Sequence, residues 1–372
     1  MNLRIPGPTP CPPEVLAAVG KQMVDHRGPE FAAVLKDVSS GLKRAFRTEN
    51  DVLIFTCAGT GALEAAVVNT LSPGQRVLAV SIGEFGNRFA SIARTYGADV
   101  ASLAAEPGHA IEPGELDDAL AKDPAVAAVL LTHNETSTGV TNPLRDLAEV
   151  VRRHDKLLLV DAISSMGSVP IEVDAWGLDV VLSGSQKGWM VPPGLCFMSM
   201  SPRAWQAYDQ SKGKTPRFYL DAGRARDSAE KGQTPWTPAV SLFYGMQVAL
   251  QMLEREGWDN VFKRHQRCAD VAREGVKSLG LELFADPRYA SNTVTTVTAP
   301  EGVNVSDLRT ALRERHEIVV AGGQGPMSGK VFRIGHLGLV TEAEVQAVID
   351  ALAVELPRLG FQPPVGASSS PA

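Results

Sequence analysis

Cysteine is scarce in this chain and is never spaced for chemistry of its own. Cys11, Cys57, Cys196 and Cys268 stand far apart and match no zinc or C-x-x-C spacing, so they imply no disulfide framework and no metal site. Reduced thiols in a cytoplasmic compartment are the expectation. A basic field is missing too: the formal charge is -6 and no dense Lys/Arg run occurs, which leaves no electrostatic footprint for nucleic acid. No apolar run approaches bilayer length without Gly, Pro or charge interrupting it, and Met1-Asn-Leu-Arg-Ile-Pro6 lacks the apolar core of a secretory signal. No membrane partner is expected. No internal repeat of solenoid period occurs either. What is present is 372 residues, 44% hydrophobic and 21% charged, enough to bury a large core divided between a large domain and a smaller companion.

Prolines dominate the opening stretch, Ile5-Pro6-Gly7-Pro8-Thr9-Pro10-Cys11-Pro12-Pro13. Each fixes φ and removes a donor, so residues 1–14 read as an extended arm. A helix is expected from Pro13-Glu14 through Val15, Leu16, Val19 and Met23, and a long amphipathic one from Glu30 to Phe46. Strands over 51–56, 76–80, 99–103, 125–131 and 157–160 then alternate with helices over 62–68, 88–96, 114–121 and 142–154. That alternation argues an α/β fold with a mostly parallel sheet covered on both faces, whose ligands bind beyond the strands' carboxyl ends. Residues 15–255 form this large domain. Lys212 to Lys231, charged and poor in apolar residues, reads as a mobile flank, and an apolar helix runs from Val240 to Leu253. Residues 256–359 read as an α+β companion with helices over 261–279, 305–315 and 342–356 and strands over 282–285, 293–298, 318–320 and 331–334. The Pro, Ser, Gly and Ala of 360–372 suggest a disordered tail.

Three strand ends carry the polar residues that matter. After the strand at 51–56, Cys57-Ala58-Gly59-Thr60-Gly61 opens a helix of small residues, a geometry whose free N–H groups suit a phosphate, although tight strand-to-helix turns also need small residues for packing. The strand at 157–160 ends at Asp161, for which, taken alone, a helix N-cap or a buried structural carboxylate is the commoner explanation. The apolar run Val180-Val-Leu182 ends in Ser183-Gly-Ser-Gln186-Lys187-Gly188. An amine in such a poorly solvated turn has a lowered pKa and condenses with aldehydes; an ordinary loop lysine is the plainer reading. Together the three supply what an aldehyde cofactor bearing a phosphate and a pyridine nitrogen requires: an anion nest, a carboxylate and an amine.

Leu158-Leu-Val-Asp161-Ala-Ile163, Ser183-Gly-Ser-Gln-Lys187, Pro192-Pro-Gly194 and Lys330-Val-Phe-Arg333-Ile-Gly335 resemble the class V aminotransferases of pyridoxal-phosphate fold type I, the group of alanine–glyoxylate and serine–glyoxylate (serine–pyruvate) enzymes. The resemblance spans almost the whole chain. It implies a mostly parallel seven-stranded sheet in the large domain, pyridoxal 5'-phosphate as cofactor, and Lys187 as the Schiff-base lysine. Asp161 pairs with the ring nitrogen in that scheme. Ala58, Gly59, Thr60 and Gln186 hold the phosphate, Thr136 approaches the ring hydroxyl, and Phe85 and Ile163 pack on the ring. Phe85 stands where alanine–glyoxylate enzymes carry Trp, and Ala58 where relatives often carry Ser, so one hydroxyl donor is missing. Gly7 of the arm and Arg333 bind substrate, Arg333 through its α-carboxylate; a structural ion pair is the other reading of Arg333. Thr234 or Thr237 reaches the cofactor of a neighbouring subunit, which implies a homodimer with shared sites.

The resulting expectation is transfer of an amino group from alanine or serine to glyoxylate or pyruvate. The alternatives are a class V enzyme with a ureidoglycine, phosphonate or aspartate type donor, or a cysteine desulfurase-like lyase. Against the last, Gln186 stands where desulfurases usually place His, and Cys196 and Cys268 lack a mobile-loop context.

Overall fold

The computed structural model describes residues 1–361, so most of the expected tail at 360–372 lies outside the described residues. The strands, in chain order, are β1 (Asn2–Arg4), β2 (Val52–Phe55), β3 (Arg76–Ser81), β4 (Asp99–Ala104) and β5 (Ala128–Thr132). A small hairpin follows, β6 (Asn134–Glu135) with β7 (Val140–Thr141), then β8 (Leu157–Asp161), β9 (Val180–Gly184), β10 (Cys196–Met200), β11 (Val294–Thr298), β12 (Ile318–Gly322) and β13 (Val331–Gly335).

Seven of them form the main sheet in the order β2-β10-β9-β8-β5-β3-β4. The neighbours β9-β8-β5-β3-β4 are parallel, whereas β10 runs antiparallel to both β2 and β9. Apart from the edge strand β4, which is partly exposed, the strands are buried on both faces because helices cover both, which is why their sequences are continuous apolar runs rather than alternating ones. The helix Gly59–Thr70 is buried along most of its length. Its two deepest polar groups are satisfied locally: Asn69 Nδ2 donates to the Ala65 and Leu220 carbonyls, and Thr70 Oγ1 to that of Ala66. The second sheet has the order β1-β12-β13-β11 and packs on the helices Trp258–Ser278, Val305–His316 and Glu342–Arg358. Gly257, at φ +84, separates the helix Val240–Glu256 from Trp258–Ser278, next to the domain boundary expected at 255/256.

Several sequence expectations change. The arm is not free along its length: β1 pairs in parallel with β12, and Arg4, almost wholly buried, donates to the Leu339 carbonyl. The helix after it stops at Val19, at the Gly20 cap, so Met23 is outside it, and both Leu16 and Met23 are exposed rather than core. The expected strand at 282–285 reduces to a single bridge between Leu283 and Val297, because Asp286-Pro287 begins a 3-10 turn. The stretch 212–231 includes a helix and buried anchors, although residues 212–214 and 229–231 are exposed. Asp221 caps the helix Ala222–Ala229 by accepting from the Arg224 amide, and the buried Arg217 binds Asp221, the Val68 carbonyl and Ser211. The signal overlooked was the N-cap aspartate. No helix of the described residues is long and apolar enough to cross a membrane.

Candidate active site

A cavity of about 220 Å³ opens at the carboxyl ends of the main-sheet strands. Parallel register sets its floor: Asp161, the last residue of β8, lies between Thr132 of β5 and Leu182 of β9. The cavity is lined by Gly7, Ala58, Gly59, Thr60, Phe85, Thr136, Asp161, Ile163, Gln186 and Lys187, ten of the residues expected from the sequence. Arg333 stands beside it on β13, its Nη1 donating to the Thr136 carbonyl. Thr234 and Thr237 are elsewhere, lining a separate crevice with Tyr219 and Trp236, and within one chain they do not reach the cavity.

Burial governs the electrostatics. It pushes the Asp161 carboxyl up to about 7, because the Ile163 amide is the one hydrogen bond Asp161 receives among the described residues. Burial lowers the Lys187 amine to about 8, partly offset by the charge of Asp161. Lys187 Nζ donates to the Pro6 carbonyl at 2.5 Å, and the arm is pinned across it: the Thr9 amide donates to the Gln186 carbonyl, and Thr9 Oγ1 to that of Lys187. Gly7, at φ +126, is required there, since a Cβ would lie 2.8 Å from the Lys187 side chain.

The residues present fit pyridoxal phosphate. Ala58 caps the helix Gly59–Thr70 without a side-chain hydrogen bond, so that helix's first amides are left for an anion. Gln186 Oε1 is buried with no partner, close to where the Gly59 amide begins the turn. Ile163 packs so closely on Gly59 that a Cβ would sit 2.7 Å from its Cδ1. Cradle, unpaired carboxylate and depressed amine thus face one space.

Sequence reasoning missed four residues around the cavity. Glu135, fully buried, accepts from the amides of Phe85, Gly86 and Ser137 and from Ser137 Oγ. It therefore caps the helix Glu84–Thr95, which starts four residues earlier than expected and fixes Phe85 at the cavity wall. Arg88, one helical turn after Phe85, also lines the cavity. The signal for it was the three-residue spacing in Phe85-Gly-Asn-Arg88. Asn134 and Ser164, which hydrogen-bond each other at 2.7 Å, complete the wall beside Thr136.

A strand-end lysine, a buried carboxylate and a helix-terminal anion cradle on this fold define a pyridoxal-phosphate-dependent transaminase of fold type I. The model of the aminotransferase class-V family matches residues 2–348, and the chain belongs to that family. Among its relatives, L-aspartate–glyoxylate aminotransferase of Paracoccus denitrificans is 36% identical over 99% of this chain and 94% of that protein. A protein of Synechococcus sp. named soluble hydrogenase, small subunit, is 42% identical over 96% of this chain and 94% of its own length; that name describes that protein alone. The crystal structure of alanine–glyoxylate aminotransferase from Nostoc sp. superposes with a TM-score of 0.92 at 36% identity, covering 95% of this chain and 94% of that one.

Proposed function

We propose that the enzyme moves an amino group between a small monocarboxylic amino acid, alanine or serine, and glyoxylate or pyruvate. Arg333 carries this reading. It is 5% exposed, and its guanidinium is held by three neutral oxygens, the carbonyls of Gly322 and Thr136 and Oε1 of Gln324. Among the described residues no carboxylate lies within ion-pair distance of it. A buried cation without a counter-ion is costly unless a ligand brings one, and a planar fork suits an α-carboxylate.

When bound, pyridoxal phosphate supplies the aldehyde that takes the amino group and a ring that accepts electrons from the α-carbon. Asp161 holds the proton on the ring nitrogen. Burial raises its carboxyl in the cofactor-free chain, and a cationic ring nitrogen beside it would favour the charged form. Lys187 Nζ moves the proton at the α-carbon, which a pKa near 8 suits. Phe85 and Ile163 would orient the ring, Thr136 its hydroxyl edge, and Gly59, Thr60 and Gln186 the phosphate. The arm at Pro6-Gly7 covers Lys187 and excludes water. Thr234 or Thr237 serves the neighbouring site of a two-fold dimer, for which light scattering at assay concentration is the check; an active monomer would remove it. Free thiols fit a cytoplasmic enzyme, and Cys196 and Cys268 are buried and offer no nucleophile for desulfuration.

An aspartate donor is the second reading, favoured by the Paracoccus relative. Arg27, an arginine that could meet a distal carboxylate if its loop approached the site, is instead bound to Gln233 Oε1 and the Thr234 carbonyl. Steady-state kcat/KM for alanine, serine, aspartate and glutamate, each with glyoxylate and with pyruvate, separates the readings. A tenfold lead for a dicarboxylic donor, about 1.4 kcal/mol in the transition state, would exclude the small-donor assignment.

A further inference from the structure

Arg88 lines the cavity with a charge that the reading above does not use. Its guanidinium carbon lies 4.7 Å from the centre of the Phe85 ring, and Nη1 is 3.4 Å from Thr60 Oγ1. No acidic side chain among the described residues lies within ion-pair distance of it. The helix Glu84–Thr95 thus carries an unneutralised cation to the hydroxyl at the mouth of the amide cradle, and the ring of Phe85 props it there.

The cradle is short of charge. A helix N-terminus offers roughly half a positive charge, whereas a phosphate monoester brings about -1.5 to -2 at neutral pH. Ala58 contributes no hydroxyl, and Gln186 is neutral. Lys187 is occupied with the Pro6 carbonyl. Arginine matches two phosphate oxygens with parallel donors and stays charged at any working pH. Thr60, which Arg88 touches, belongs to the phosphate turn, whereas Arg333 bonds to the Thr136 carbonyl, so the two arginines serve different parts of the site.

We infer that Arg88 binds the phosphate group of the cofactor and stands in for the hydroxyl that Ala58 lacks. The inference rests on the cradle described above. The test uses the cofactor-stripped enzyme and two probes without an aldehyde, pyridoxine 5'-phosphate and pyridoxine, so that binding is non-covalent and the phosphate is the single difference. Their dissociation constants are read from quenching of tryptophan fluorescence. The expected result is that Arg88→Gln weakens pyridoxine 5'-phosphate roughly 10-fold to 100-fold and leaves pyridoxine unchanged. Arg88→Lys should retain most of the preference, and adding Ala58→Ser to Arg88→Gln should restore part of it. Equal weakening of both probes would mean that Arg88 only supports Phe85, and would overturn the inference. So would an unchanged preference accompanied by a raised KM for aspartate, which would assign Arg88 to a substrate carboxylate. A wild-type enzyme that binds both probes equally would instead overturn the cradle itself.

Discussion

Glu355 and Arg333 are both buried charges, and the structure treats them in opposite ways. Glu355, wholly buried on the helix Glu342–Arg358, is saturated: Arg315, His316 and Arg358 each lie 2.8 Å from its carboxylate. Burial alone would raise its pKa, but the hydrogen bond from His316 and the charges of Arg315 and Arg358 outweigh it and lower the value. Arg333 has carbonyls and an amide around it and, among the described residues, no acid within ion-pair distance, and burial lowers it to about 10, partly offset by the charge of Glu135. Asp161 and Lys187 share that condition, each far from its ordinary pKa through desolvation. A saturated buried charge is part of the scaffold; one left short of partners marks where a ligand completes the electrostatics.

Removing these charges one at a time should separate scaffold from site. Lys187→Ala should have the largest effect, a loss of turnover on the order of 10³-fold or more with the fold retained by circular dichroism. Turnover at the wild-type rate would reassign the lysine. Arg333→Ala should cost about 2–5 kcal/mol in kcat/KM for alanine, mainly through KM, since the substrate carboxylate loses its buried partner.

Asp161→Asn sharpens the contrast in stability. The folded-state pKa of Asp161 is raised, so the folded protein binds its proton more tightly than the unfolded chain, and stability is lost as pH rises from about 4 through about 7. Denaturant titration of the cofactor-free protein at pH 8 should therefore find the asparagine variant more stable by roughly 1–4 kcal/mol, while its activity falls. A variant less stable than wild type would show that Asp161 is a structural carboxylate.

Glu355→Gln should give the smallest effect and the opposite sign: a melting temperature lowered by roughly 2–4 °C with KM for alanine unchanged. Because the Glu355 pKa is lowered on folding, its contribution is present above the ordinary carboxylate pKa and is lost as pH falls through the folded value. The difference between wild type and variant should therefore shrink in acid. A changed KM would place Glu355 in the site.

Much of this was written in the local sequence. A parallel sheet buried on both faces demands continuous apolar strands, and helix-terminal turns demand small residues, so β2 to β5, β8, the apolar run of β9 and the small-residue turn at Ala58–Thr60 could be read directly, whereas the hairpin β6–β7 could not. Asp161 and Lys187 followed because a polar residue at the end of such a strand has nowhere to go but the ligand edge. Other features depend on partners distant in sequence. β10 is a short apolar segment whose antiparallel placement between β2 and β9 is decided by its neighbours. β1 is three residues that become a strand only because β12 offers an edge. The helix at Glu84 starts early because Glu135, 50 residues away, caps it. Arg333 showed its basic character in the sequence, but that its guanidinium lacks an acid and Arg88 faces the cradle is tertiary information: charge belongs to a residue, whereas its neutralisation belongs to whatever the fold brings within a few ångströms of it.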